Sequence, residues 1–433
     1  MALVPVQLKR LQLDRSLRPT AMSTFRAILP DKAVLDYCKQ SGVEFRDRMY
    51  TPLLTFWAFV AQCLDPDHSC RKAVSYVLSW RRSGKAPRQR RNRKRGNPSD
   101  DTGGYCKARQ RLPEELVCWA MRTVAHRLGE CVGISQKMWG KDIYLVDGTC
   151  VSMPDEKPLA EEFGRSGGGK RGCKKSLFPI ARIVSLISLT TGAVIDAAIG
   201  SYKTSEHALF HGLWTRNPEP LRGSVIVGDR LFCSYSHLAQ LPMAGIDLIT
   251  RLHGRRPADM RQGKCLGPGD RLVTWQRPKL QPKWLSKEEF LALPEQLTVR
   301  MIRGRSLRRG FRPKHVVIVT TLTDPELYSA QDIANLFLRR WDIEVDMRHI
   351  KSVLQMDVLR GKSPDIVRKE IWAHLTVYNL ARAVMWEAAA SHDFSPSGTE
   401  FQRNDSTAQY LRAMHRKCPL FKLVSETVEA NGT

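Results

Sequence analysis

Near Lys141 the spacing of apolar residues changes from a helical period to a strand period, and the order of runs that follows admits few folds. Ile143 to Val146 predicts a short buried strand ending at Asp147-Gly148. Ile180 to Leu189 and Ala193 to Ile199 are two β-rich runs split by Thr190-Thr191-Gly192, a hairpin signal. Glu206 to Trp214 predicts a helix. Ser224 to Val227 predicts a fourth strand, ending at Gly228-Asp229. A short helix over Ser236 to Leu241 and a fifth strand over Ile246 to Leu252 follow.

Three strands, helix, strand, helix, strand is an α/β order in which the first three strands can be antiparallel neighbours. It fits a ribonuclease-H-like mixed sheet flanked by helices. Residues 1–135 read as a helical N-terminal domain, with a wide apolar face over Leu53 to Leu64, a helix over Arg71 to Trp80 and a helix pair from Cys106. Residues 136–252 form the first part of this α/β domain, and 253–325 a β-rich insertion with strand-like pieces at Arg271 to Trp275, Gln296 to Ile302 and His315 to Thr321. Residues 326–390 complete the α/β domain. Helices are expected from Ala330 to about Leu354 and from Asp365 to Ala390, and a tail over 391–433 holds one short helix near Thr407 to His415.

Lys and Arg number 69 against 43 Asp and Glu, a net charge of +26. So large a surplus points to a polyanionic partner, because each phosphate neutralised releases counterions. The densest run, Arg81 to Gly96, has no acidic residue and contains Arg90, Arg91, Arg93, Lys94 and Arg95. It reads as an exposed loop, either solvated or in contact with DNA. Lys170, Arg171, Lys174 and Lys175 form a second basic cluster in a Gly-rich loop. The 11 cysteines form no C-x-x-C and no zinc-finger spacing, which suits free thiols in a reducing cytosol. The N-terminal residues have no apolar signal core, and Leu53 to Leu64 is too short to span a bilayer. The expectation is a cytoplasmic, nucleoid-associated protein with no membrane role.

Asp147 and Asp229 occupy parallel places in the pattern, each after a strand, where functional groups of α/β sheets converge. Hard cations such as magnesium take carboxylate oxygens, and phosphoryl transfer often uses two ions. Read singly, Asp-Gly is also a common turn pair, and Asp before Arg a common capped loop. Around Glu344, Phe337, Arg340, Glu344 and Lys351 follow at gaps of three, four and seven residues, which on one helix is a stripe about 60° wide. Arg348 lies beside it. That stripe suits a metal and its phosphates, and it equally suits a solvent-facing ladder of ion pairs.

These segments resemble the DDE transposases of the insertion-sequence-four family. The family signature is tyrosine, arginine, glutamate and lysine, and this chain keeps every gap, with Arg340, Glu344 and Lys351 identical and Phe337 in place of the tyrosine. LVDGTCVSMPD, VIVGDRLFCSY, FPIARIVSLISLTTG, KEIWAHLTVYNLAR and YCKARQRLPEEL are also similar to the family. The resemblance implies a DNA transposase that cuts transposon ends and joins their 3′-hydroxyls to target DNA. It implies Asp147, Asp229 and Glu344 as catalytic ligands of two Mg2+ ions, for which Mn2+ substitutes. Arg340, Lys351, Arg348 and Arg230 would contact phosphates. Trp275 and Trp284, in the insertion, are candidates for stacking on an extruded base or for ordinary packing. The partner would be double-stranded DNA, held by a homodimer in a synaptic complex. A nuclease of the same fold without strand transfer, and a non-catalytic DNA-binding regulator, are the alternatives.

Overall fold

The computed structural model describes residues 25–43, 49–82, 100–166, 178–306, 314–340 and 354–390. The expectations for Arg90, Arg91, Arg93, Lys94, Arg95, Lys170, Arg171, Lys174, Lys175, Glu344, Arg348, Lys351 and the tail helix fall outside those residues.

The N-terminal part is helical: α1 (Asp31–Gln40), α2 (Pro52–Leu64), α3 (Cys70–Arg82), α4 (Gly103–Arg111) and α5 (Glu114–Glu130). Helix α2 starts where Thr51 accepts from the Leu54 N–H at 3.3 Å and Pro52 needs no partner for its nitrogen. It is apolar on nearly every side and correspondingly buried from Pro52 to Cys63. Helix α5 opens with Glu114 and Glu115 in its first turn, where carboxylates meet the positive end of the helix.

The sheet strands are β1 (Ile143–Ser152), β2 (Ile180–Ser188), β3 (Val194–Ser201), β4 (Val225–Val227), β5 (Asp247–Arg251), β6 (Lys264–Gly267), β7 (Asp270–Gln276), β8 (Gln296–Ser306) and β9 (Lys314–Thr320). Among the described residues they form one sheet in the order β3-β2-β1-β4-β5-β9-β8-β7-β6. The first three are antiparallel neighbours, while β1, β4 and β5 run parallel. The parallel joins are made through α7 (Glu206–Arg216) and α8 (Tyr235–Met243). This is the ribonuclease-H-like arrangement that the order of runs predicts. The strands of the insertion continue the same sheet, because β9 pairs antiparallel with β5. Three elements escape the sequence reading: β6, α6 (Lys157–Phe163), which follows β1, and α9 (Lys287–Leu291), between β7 and β8.

Strand alternation sorts the core into two faces. Ile143, Leu145, Val225 and Val227 join the larger core with α2, α5 and the long helix α11 (Pro364–Ala390). Tyr144, Val146 and Ile226 join a second core with α7, α8 and the insertion. Among the described residues no helix is long and apolar enough to cross a membrane.

The helix expected to run unbroken from Ala330 does not. Helix α10 (Ala330–Leu338) ends where the Arg339 N–H takes up the Asn335 and Leu336 carbonyls, and Arg340 follows in a turn whose N–H donates to the Phe337 carbonyl at 3.1 Å. Such i to i+3 bonds tighten a last turn and close a helix. Phe337 is therefore on α10 and buried, while Arg340 lies beyond it.

Candidate active site

Asp147 and Asp229 come level because β1 and β4 run parallel in register. Leu145 pairs with Val227, and each aspartate lies two residues further on. Asp147 is not at the end of its strand, as the Asp-Gly pair suggested. Its pairing continues with β2, from Asp147 opposite Ser185 to Ser152 opposite Ile180. Only the ladder to β4 has ended.

A glycine accompanies each acid, and packing explains both. A Cβ on Gly228 would stand 2.9 Å from Val146 Cγ1 and 3.0 Å from the Phe232 ring, so only glycine lets the end of β4 lie against β1. A Cβ on Gly148 would stand 2.4 Å from Glu206 Cδ. That side chain, from the first turn of α7, occupies the space beside Asp147.

Each aspartate is half-buried and fixed through one oxygen. Asp147 Oδ1 accepts from the Gly148 N–H at 2.9 Å, and Asp229 Oδ1 caps the following turn by accepting from the Leu231 N–H at 2.7 Å. Burial is the main cause that pushes the Asp147 carboxyl up to about 6, and the charges of Asp229 and Glu206 add to it. The Gly148 N–H and Arg340 act in the opposite direction. Arg340 is thus within electrostatic reach of Asp147. Arg230 is exposed on the turn that Asp229 caps. Among the described residues no three His, Cys, Asp or Glu side chains stand close enough to hold a metal ion together.

The two tryptophans are both packed. Trp275 is buried, with the Arg256 guanidinium carbon 4.1 Å from its ring centroid. Trp284 is half-buried and stacks on His237 at 4.6 Å and on His207 at 5.8 Å. His207 follows Glu206 directly, so this aromatic ladder runs from the insertion to the edge of the acidic site.

Sequence reasoning missed Glu206 and Ser185 as members of this neighbourhood. Glu206 reads in sequence only as the start of a helix after a Ser cap, which it also is, since Ser205 accepts from the Ala208 N–H at 3.2 Å.

A ribonuclease-H-like sheet that sets two aspartates level on adjacent parallel strands, in a strongly basic chain, defines an enzyme that cleaves or transfers nucleic-acid strands. The sequence profile described as "Transposase DDE domain" matches residues 138–380, more than half of the chain. The protein belongs to that family and is a DNA transposase.

Transposase InsG for insertion sequence element IS4, from Escherichia coli strain K12, is 25% identical over 366 residues, covering 83% of this chain and 76% of InsG. The transposase for insertion sequence element IS421, from Escherichia coli, is 39% identical over 61 residues, or 14% of this chain and 16% of that protein. The expected resemblance to the insertion-sequence-four family is thereby borne out. Among solved structures, a piggyBac transposase synaptic complex with hairpin DNA aligns over 89% of this chain and 83% of that chain, with 11% identity and a TM-score of 0.37.

Proposed function

We propose that this transposase cuts the ends of its element and joins the freed 3′-hydroxyls to target DNA, with Asp147, Asp229 and Glu344 as the residues that hold two divalent cations. The observation that carries the reading is the level placement of Asp147 and Asp229, with Arg340 in electrostatic reach. The donor set fits magnesium. Both acids are hard oxygen donors, and each commits one oxygen to a backbone N–H while its other oxygen accepts no hydrogen bond among the described residues. Glu344 completes the set by its place in the signature. When bound, magnesium supplies Lewis-acid chemistry at the scissile phosphate, and manganese substitutes for it.

The chain's own residues bind and orient. Backbone N–H groups fix the two aspartates, so little reorganisation accompanies metal entry. Arg340, Lys351, Arg348 and Arg230 clamp phosphates of double-stranded DNA near the cut, and Lys170, Arg171, Arg90, Arg91, Arg93, Lys94 and Arg95 extend that contact. Base stacking falls to Trp284, which retains exposed ring surface, before the buried Trp275. The helical N-terminal region binds DNA and the insertion holds the transposon end. Two copies of the chain act in one synaptic complex, in the cytoplasm on the nucleoid.

The test is cleavage and joining of DNA carrying the element's terminal repeats, with and without Mg2+. D147N, D229N and E344Q should each abolish cleavage and leave end binding intact. Substantial cleavage by any one variant removes that residue from the site. Cleavage without joining assigns a nuclease, and binding without cleavage assigns a regulator.

A further inference from the structure

Glu206 sits in the first turn of α7, with its carboxylate directly over the backbone of β1 beside Asp147. An ideal Cβ on Gly148 would meet its Cδ at 2.4 Å and its Oε2 at 2.5 Å. The start of a helix favours a glutamate by itself. That preference does not require the side chain to be three-quarters buried against the one residue next to Asp147 that lacks a side chain.

The carboxylate is also underused. Among the described residues it accepts no hydrogen bond. Its cationic neighbour, Arg182, reaches it only at 3.8 Å, too far for one. Arg182 is held back by other contacts: Nη1 donates to the Thr204 carbonyl at 2.7 Å, and the guanidinium carbon lies 5.0 Å from the Tyr202 ring centroid. The Arg182 Nε finds no acceptor at all. Ser185, opposite Asp147 on β2, gives a second and independent sign of a missing partner. It is fully buried, and its hydroxyl has no hydrogen-bond partner.

We propose that Glu206 is a positioning residue of the catalytic centre, its carboxylate supplying negative charge and a hydrogen-bond acceptor to the water shell of a divalent cation held at Asp147 and Asp229. The inference rests on the metal-binding reading of those two aspartates. Glu206 is not a third direct ligand, since among the described residues no three such side chains stand close enough to hold an ion. It acts through water, as outer groups of metal sites do. Burial pushes the Glu206 carboxyl upward, Arg182 opposes the shift, and the Asp229 charge adds to it, so the acid shares the field of the site.

The test is Mn2+ binding to the full-length protein without DNA, read from the electron paramagnetic resonance signal of free Mn2+. E206Q keeps the shape and removes the charge. Its Mn2+ affinity should fall about tenfold with an unchanged circular dichroism spectrum. R182Q separates charge from structure: it removes the competing cation and should bind Mn2+ at least as tightly as the wild type. A merely structural Arg182–Glu206 pair would weaken binding in both variants, which overturns the assignment. G148A places a methyl where Glu206 sits and should weaken binding as E206Q does, and this variant keeps the proposal testable should E206Q fail to fold. Wild-type affinity in E206Q or G148A, with affinity lost in D147N, overturns the role of Glu206 alone. Wild-type affinity in D147N and D229N as well overturns the underlying metal site.

Discussion

Arg300 and Asp270 form a buried two-pronged ion pair in the middle of the insertion, with Nε to Oδ1 at 2.9 Å and Nη2 to Oδ2 at 2.6 Å. The remaining nitrogen of Arg300 donates to the Tyr328 carbonyl at 2.7 Å, just before the Ser329 cap of α10. One side chain thus ties β7 and β8 to the start of the helix that leads to Arg340. R300M should leave the Asp270 charge buried without a partner and cost about 3 to 5 kcal/mol. Urea unfolding measures this, and the double variant D270L/R300M should recover most of the loss. A single variant within about 0.5 kcal/mol of the wild type would show that water reaches the pair.

The Asp147 carboxyl, raised by burial from its ordinary 3.8 to about 6, has a stability signature. A folded pKa above the unfolded one means that the folded state binds the proton more tightly. The contribution is fully present below pH 3.8 and is lost as pH rises through about 6. Above that, the metal-free protein carries a buried charge at a cost. D147N should therefore be more stable than the wild type at pH 8, by on the order of 2 kcal/mol, and the gain should vanish near pH 4. Added Mg2+ should raise the melting temperature of the wild type and not of D147N. Thermal shift at both pH values reads all of this, and equal stability of the two proteins at pH 8 would argue against a desolvated Asp147.

The order of strands was legible because each core strand is a run of β-branched and apolar residues bounded by turns, and Val225–Val227 is buried at every residue. The hairpin turn between β2 and β3 was equally plain. Strand β6 was not, because Lys264 and Cys265 are exposed and carry no burial signal. Helix α6 was missed because it spans only seven residues with Leu159 and Phe163 buried. The pattern ends the first strand at Asp147, yet β1 continues to Ser152, since the turn tendency of Asp-Gly yields to nine paired residues on β2. The approach of Glu206 to Gly148 was invisible, because it depends on how α7 lies across the sheet, a tertiary relation with no local pattern. For Trp275 the burial that sequence left open follows from its place on β7 opposite Leu297.

His374 tests how the N-terminal helices lean on α11. It is fully buried, neither ring nitrogen has a partner, and it stacks on His68 with centroids 5.2 Å apart. Burial, and then the neighbouring His68, lower its pKa from 6.5 to about 3. A folded pKa below the unfolded one gives stability that is complete above pH 6.5 and drains away as pH falls toward 3. Between those limits this single group should cost about 1.4 kcal/mol per pH unit. H374L should flatten the acid limb of the stability curve by about that slope, measured by urea unfolding from pH 7 to pH 4.5. Parallel curves for the two proteins would mean that His374 takes up its proton without unfolding.

Asn379 holds the outer edge of the sheet to two helices. Its Nδ2 donates to the Val194 carbonyl at 2.8 Å and to the Met121 carbonyl at 3.1 Å, and its Oδ1 accepts from the Val194 N–H at 2.8 Å. Strand β3 is an edge strand, so Val194 has no neighbouring strand on that side, and an amide on α11 takes its place. N379L would strand the N–H and the carbonyl of Val194, and at about 1 to 3 kcal/mol each the loss should be about 2 to 6 kcal/mol. N379D is the sharper test, because it keeps the shape and reverses the polarity. Its ionised carboxylate would face the two carbonyls that now accept, so it should be the less stable variant at pH 8. At pH 5, where such a buried carboxyl would hold its proton and can donate once, N379D should regain part of the loss, while N379L should not change. Hydrogen exchange at the Val194 amide should quicken in both variants at pH 8. If N379D matched N379L at every pH, the amide would be filling space there and not pinning the strand.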